Sequence, residues 1–518
     1  MKKYIYLSFV FALTACSCDE STIVNPPEGQ KSIVLLFDND VHCAIDGYAR
    51  LAGLRDAIAA SDTAWAAAVS SGDFLQGGMS GALSHGGYIV DVMRNVGYDA
   101  VTLGNHEFDY GVPRMKELLP KLNAPVVCSN FFAMGATQPS YAPYIIRSYG
   151  SRRVAFVGVT TPETMQDESY SFFDDEGNQL YDLRTDDVTQ IVQTAVDDVR
   201  RQGADYVVLL SHLGEKQPAL GLSSHDLVAA TRGIDVVLDG HTHSVIERDN
   251  VANLDGKLVP VAQTGTQFAN VGKLVIAADG RITPTLIATD DIPYMSTRVG
   301  ATIDSVSQEV SAVALRQIAA TEFALTINDA DGNRLVRRGV TNLADLVTDA
   351  FRHAMQAEIG LINGGGIRAN ILAGDISYGD LINVMPFDNH MAKIAATGAQ
   401  IVAMLERCTA ALPEEDGQFP QVSGLRYTVH QKSHTVSDVQ VLAGDTWQPL
   451  DPGRTYTIAT TDYYRGGGFY DTLKDCTLVS LDTSLYRDAM ADYLQTTLGG
   501  TVPAAYATSQ GRITVVDD

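Results

Sequence analysis

Apolar residues in this chain come in short runs separated by amphipathic stretches. Residues 32–38 (Ser-Ile-Val-Leu-Leu-Phe-Asp) form a nearly unbroken apolar run of strand length, the pattern of a strand covered on both faces. Comparable runs follow at 154–159, 206–210, 236–238 and 273–277. Between them, residues 47–60, 87–96, 112–121 and 186–202 carry helical spacing. Alternating strands and helices predict a layered α/β domain that ends near 290. Residues 299–320 contain few turn formers and read as one helix. The pattern then restarts, with helices at 342–357 and 398–411 and strands at 359–363, 424–430, 435–442 and 454–460. The expected division is a first domain at 31–295, a linker helix at 296–321 and a second α/β domain at 322–518. There is no fixed-period repeat.

A chain of 518 residues exceeds one ordinary core, so two domains agree with length as well as pattern. The formal charge of −25 argues against binding nucleic-acid polymers through a basic surface, and no protein partner is indicated. Residues 1–15 read as a signal peptide: Lys2 and Lys3, an apolar core from Ile5 to Leu13, then Leu13-Thr14-Ala15-Cys16. That ending resembles the bacterial lipoprotein cleavage box. The expectation is a lipid on Cys16, a polar tether over 16–30, and a place in the cell envelope outside the inner membrane. The six cysteines, at 16, 18, 43, 128, 408 and 476, show neither metal-ligand spacing nor a disulfide framework.

The first half also carries five acidic and histidine-containing clusters: Asp40-Val41-His42, Gly72-Asp73, Gly104-Asn105-His106-Glu107, Ser211-His212 and Gly240-His241-Thr242-His243. Each follows an apolar run, so each is expected at a strand end, where ligands from one sheet converge. Asp40 and His42, like His241 and His243, have the two-residue spacing that points side chains the same way in extended chain. Carboxylate, imidazole and amide donors of this kind suit a two-metal hydrolytic centre with Asp73 as the shared bridge. Any one cluster alone is a common accident; five in this order are not. Glu107 is expected to support its loop. His85, His225, His353, His390, His430 and His434 match no cluster.

These motifs, with Asn39 before the first and Phe108-Asp109 after the third, resemble the calcineurin-type metallophosphoesterase signature in the form of the bacterial 5′-nucleotidase / UDP-sugar hydrolase family. The resemblance covers residues 32 to about 512. It implies a four-layer α/β/β/α metallophosphoesterase domain followed by an α/β 5′-nucleotidase domain. It also implies two divalent ions, zinc, manganese or similar. One would be held by Asp40, His42, Asp73 and His243, the other by Asp73, Asn105, His212 and His241. His106, oriented by Asp109, would stabilise the transition state as hydroxide attacks a phosphate in line.

In the second half, Asn363-Gly364-Gly365-Gly366-Ile367-Arg368 follows a short strand. Consecutive glycines allow close backbone approach to a ligand, and an arginine fork matches phosphate. Asp375–Asp380 and Met385-Pro386-Phe387-Asp388-Asn389 complete the likeness to the C-terminal nucleotidase domain. By that likeness Asn363 and Arg368 bind substrate, Phe387 and Tyr463 stack on a base, and Arg338 adds a phosphate contact. One departure stands out. The family's glycine loop carries an acid for the ribose, whereas Gly466-Gly467-Gly468-Phe469 has none, although Asp462 lies nearby. The implied function is hydrolysis of nucleoside 5′-monophosphates or related nucleotides. Alternatives are a 2′,3′-cyclic nucleotide phosphodiesterase, a UDP-sugar hydrolase, a sulfur-oxidising thiosulfohydrolase on the same ligands, or a non-catalytic nucleotide-binding lipoprotein.

Overall fold

The computed structural model describes residues 31–168, 171–174, 178–216, 222–466 and 472–518. The leader, Cys16, the tether and most of the glycine run after Tyr464 therefore lie outside the described residues.

The first strand, Ser32–Asp38, shows how the layers form. Ile33, Leu35 and Phe37 project into one core and Val34 and Leu36 into another, as the two-residue period of a strand requires. This strand is central in a five-stranded sheet: Ile282–Ala288, Asn270–Ile276, Ser32–Asp38, Ala64–Ser70, Ala100–Val101. A six-stranded sheet runs Val245–Ala252, Leu258–Thr264, Val236–Leu238, Tyr206–His212, Arg152–Thr160, Tyr144–Tyr149. The two sheets pack face to face through Phe37, Val69, Phe156, Leu210 and Leu238. Helices Gly47–Ala60 and Gly87–Val96 cover the outside of the first sheet. Helix Val188–Arg201 covers the second with Val192, Val196 and Val199. The result is an α/β/β/α sandwich.

The helix after this domain spans Thr297–Ala314 and buries Val299, Ile303 and Val306 against the first domain. Residues expected to extend it instead form strand Gln317–Thr321, paired antiparallel with Gly374–Ser377. The following domain holds a five-stranded sheet in the order Pro420–Ser423, Ile359–Asn363, Thr455–Thr461, His390–Thr397, Thr477–Leu485. A second sheet of four strands includes Leu425–His430 and the C-terminal Ile513–Val516. The domains meet where helix Gly78–Ser84 sets Met79, Ala82 and Leu83 against the core of the second domain. No described helix is long and apolar enough to cross a membrane.

Candidate metal centre and active site

Parallel pairing of the central strands brings their C-terminal ends to one edge. Phe37 pairs with Val69, Val69 with Ala100, and Thr160 with His212. The candidate ligands lie at or just beyond these ends. Asp40 and His42 were expected to face one way because extended chain alternates. The strand in fact stops at Asp38, and both residues are left-handed, with φ of 49° and 45°. His241 and His243 likewise have φ of 80° and 56°. Tight turns, not strand pleating, aim these pairs. The Asp40 N–H donates to the Gly72 carbonyl and the His42 N–H to the Asp73 carbonyl, both at 3.0 Å, lacing the first loop to the second. Gly104 is required where the third loop crosses the second: a Cβ there would lie 2.1 Å from Asp73 Oδ1.

The side chains converge. His212 Nε2 lies 3.0 Å from Asp73 Oδ2 and 3.7 Å from Asp40 Oδ1. His243 Nε2 lies 3.5 Å from Asp40 Oδ1 and 3.0 Å from His42 Nε2. His42 Nε2 is 3.8 Å from Asp73 Oδ2, and His241 Nδ1 is 3.1 Å from Asn105 Oδ1. Asp40, Asp73 and His212 are fully buried. Burial raises the Asp40 carboxyl to about 7. The Asp73 carboxyl is held well below its usual range: burial pushes it up, but His212, His106 and His42 outweigh that. His212 rises to about 10 because Asp73 and Asp40 overcome its burial, and burial beside His42 lowers His243 to about 4.

This donor set fits divalent cations. His212 places Nδ1 2.6 Å from the Ser71 carbonyl, so Nδ1 carries the proton. Its Nε2 is then a buried nitrogen with no hydrogen-bond partner, aimed at the carboxylates. An imidazole fixed in this way presents Nε2 to an ion, which would displace the proton that Asp73 and Asp40 favour there. Two buried carboxylates and four imidazoles are oxygen and nitrogen donors of the kind zinc and manganese take.

His106 stands at the rim, partly exposed, with Nδ1 3.0 and 3.1 Å from the two carboxylate oxygens of Asp109. Its backbone N–H donates to Asp73 Oδ1 at 2.9 Å. Burial works against the imidazolium, but Asp109 and Asp73 prevail and hold the pKa well above its usual value. Glu107 does the loop's structural work. Its carboxylate accepts N–H groups from Asp73, Phe74, Leu75 and Gly104 at 2.6–3.0 Å.

In the second domain, Asn363 ends strand Ile359–Asn363 and spends its amide on the Gly417 carbonyl, 3.0 Å away. The glycine turn packs against protein backbone. Gly364 N–H and Gly365 N–H donate to Phe419 and Gly417, and a Cβ on Gly364 would lie 2.2 Å from the Val336 carbonyl. Arg368 reaches over Phe387, 5.9 Å from the ring centroid, and Phe387 is 38 % exposed. Arg338 turns away and pairs with Asp329 at 2.5 Å. Its neighbour Arg337 lies in the 3₁₀ turn against the glycines, near enough to Arg368 for their charges to repel. Tyr463 is half-buried in the turn Asp462–Gly466, whereas Tyr464 is core. The Asp462 carboxylate takes the backbone N–H of His390 at 3.0 Å and stands 3.2 Å from its Nδ1.

Comparison with known proteins bears on both halves. Residues 318–475 match the family model "5′-nucleotidase, C-terminal domain". Residues 70–259, from just before Asp73 to beyond His243, match the model "Bacterial capsule synthesis protein PGA_cap". The chain is 27 % identical over 449 residues to the 5′-nucleotidase of Rattus norvegicus, covering 79 % of this chain and 75 % of that protein. The 5′-nucleotidase precursor of Thermus thermophilus superposes with a TM-score of 0.64 at 26 % identity, covering 94 % of this chain and 100 % of that one. Over nearly its whole length the chain resembles two-domain 5′-nucleotidases, and residues 318–475 match their C-terminal domain.

Among similar proteins, the trifunctional nucleotide phosphoesterase protein YfkN of Bacillus subtilis is 26 % identical over 501 residues. That alignment takes in 87 % of this chain and 33 % of YfkN, so the chain spans about a third of that protein's length. Two residues beside the candidate site escape sequence reasoning. Arg337 is one, because spacing does not reveal the 3₁₀ turn that sets its backbone against Gly364. Glu163 meets His241 at 2.7 Å from 78 positions away, and no local motif marks it.

Proposed function

We propose that this protein hydrolyses phosphate esters, with nucleoside 5′-monophosphates and related nucleotides as the favoured substrates. The observation that carries the reading is the convergence of Asp40, His42, Asp73, His212 and His243 on one space whose floor, Asp40, Asp73 and His212, is buried. There the bridging Asp73 carboxylate stands 3.0 Å from an unpartnered imidazole nitrogen. Asp40, His42, Asp73 and His243 would hold one divalent ion and Asp73, Asn105, His212 and His241 a second. When bound, such ions polarise a phosphate and supply a nucleophile at neutral pH.

The chain's own groups do the rest. His106, kept protonated by Asp109, places an N–H at the rim where negative charge builds on the phosphate. Arg368 and Arg337 present two guanidiniums to an anion, and neither has a carboxylate within ion-pair distance among the described residues. They offset locally a molecule whose formal charge is −25. Phe387 and Tyr463 offer ring faces to a base. Asp388, next to Phe387, lies within electrostatic reach of Asp109 and Tyr110. The substrate-holding segment thus adjoins the dyad of His106 and Asp109.

A second reading on the same scaffold is a 2′,3′-cyclic phosphodiesterase or UDP-sugar hydrolase. Its cyclic form, whose substrate has no free ribose diol, is favoured by Asp462, the acid that leads into the glycine run, being taken up by His390. We extend the proposal to lipid anchoring through Cys16 outside the inner membrane. Product analysis for inorganic phosphate, nucleoside monophosphate and sugar phosphate, over a panel of nucleoside monophosphates, cyclic nucleotides and UDP-sugars run with zinc, manganese and magnesium, separates these readings. Turnover of monophosphates is expected. A fully metallated protein inert on every ester would reduce it to a binding protein.

A further inference from the structure

The four histidines at the centre do not approach it through the same nitrogen. His42, His212 and His243 all turn Nε2 toward the carboxylates. His241 alone turns Nδ1 inward, to 3.1 Å from Asn105 Oδ1, and its Nε2 meets Glu163 Oε2 at 2.7 Å.

The two contacts of His241 are linked. A carboxylate accepts and cannot donate, so the Glu163 contact keeps the proton on Nε2. Nδ1 then carries a lone pair, and it faces the amide oxygen of Asn105, another acceptor. At 3.1 Å these two acceptors need a cation between them, either a proton on Nδ1 or a metal ion that replaces it. We propose that Glu163 is a positioning residue that fixes the tautomer and orientation of His241, so that Nδ1 joins Asn105 in holding the second divalent ion. This rests on the dinuclear reading above and deepens it.

Glu163 is built for the task. It follows strand Arg152–Thr160, whose last residue pairs with His212. Its backbone N–H bonds Thr161 Oγ1 at 3.3 Å, and the buried Thr164 hydroxyl bonds the Thr161 carbonyl at 2.7 Å, which fixes the base of the side chain. Glu163 and His241 are 13 % and 16 % exposed, so solvent does little to replace their contact. His212, assigned to the same ion, is held in the opposite tautomer by the Ser71 carbonyl. The two imidazoles therefore meet one ion through different nitrogens, His241 with the stronger electron donation that a carboxylate partner confers.

The test is calorimetric titration of the metal-free full chain with Mn2+, read beside the spin-coupled resonance of a manganese pair. The parent protein is expected to take two ions. Glu163→Ala should keep one at parental affinity and weaken the other about 10–100-fold, losing the coupled signal at two equivalents. Glu163→Gln, whose amide oxygen still accepts from Nε2–H, should lose less than about tenfold. Two ions at parental affinity in Glu163→Ala would overturn the proposal. So would loss of both ions with a lowered melting temperature in both variants, which marks a purely structural role. A parent protein that takes fewer than two ions would instead defeat the dinuclear reading itself.

Discussion

Five of the side chains assigned to the cations, Asp40, His42, Asp73, His241 and His243, stand on left-handed backbone, with φ between 45° and 80°. None is glycine, so each costs on the order of 1 kcal/mol. The surrounding hydrogen bonds hold them there, chiefly the loop lacing from Asp40 and His42 and the four N–H groups on Glu107. Strain of this kind is invisible to spacing, which is why the two-residue pairs were legible as ligands while the reason for their direction was not. His106 stands apart, bonded to Asp109 and oriented from the Asp73 loop. His106→Asn is therefore expected to lower kcat by about 10²–10⁴-fold with metal content unchanged, measured by steady-state kinetics beside elemental analysis. The paired arginines give a sharper contrast. Arg337→Ala should cut kcat/KM for a nucleotide by about tenfold or more, because its guanidinium adjoins Arg368. Arg338→Ala should leave it within about twofold, because that side chain is engaged with Asp329. The reverse ranking would return the phosphate contact to Arg338.

The elements themselves were read well from pattern wherever burial imposes a period. Ile33, Leu35 and Phe37 against Val34 and Leu36 is a strand between two layers, and Val192, Val196 and Val199 is a helix stripe. Helix Asn342–Ala354 was equally legible, with Thr341 accepting the Ala344 N–H as its cap. Its first turn carries Asp345, buried, with Arg512 Nε at 3.4 Å and the Gln510 N–H at 2.6 Å. Burial outweighs Arg512 and raises the Asp345 carboxyl to about 6. In the unfolded chain the same group titrates near ~3.9. The folded form thus keeps this proton longer, and the stability it contributes is whole below about pH 4 and lost as pH rises toward about 6. Asp345→Asn cannot titrate. Relative to the parent, its unfolding free energy should climb by up to roughly 3 kcal/mol between about pH 4 and 6, measured by denaturant unfolding at each pH. A flat difference would contradict this placement of Asp345. What pattern missed at this scale were short elements whose packing is not periodic. Helix Gly78–Ser84, which reaches the second domain, and helix Tyr378–Val384, closed by the reciprocal cap of Ser377 and Asp380, are two of them.

At the scale of the whole molecule, the ligand loops belong to one domain and the arginine and aromatic segments to the other. They meet through a buried ion pair. Arg487, 1 % exposed, bonds the Asp388 carboxylate, the Phe387 carbonyl at 2.7 Å and, across the boundary, the Ala82 carbonyl at 3.3 Å. Asp388 also lies 3.9 Å from His85, which stacks on Tyr110 beside Asp109. A residue that reads as one more motif acid in sequence thus ties the Phe387 segment to the surface next to the dyad. None of this organisation serves phosphate chemistry unless the buried cluster holds cations, so that is the claim to measure. Anomalous diffraction from crystals grown with manganese or zinc tests it most directly. Two peaks sharing Asp73, one beside Asp40, His42 and His243 and the other beside Asn105, His212 and His241, are expected. A single peak, or peaks away from Asp73, would contradict the account.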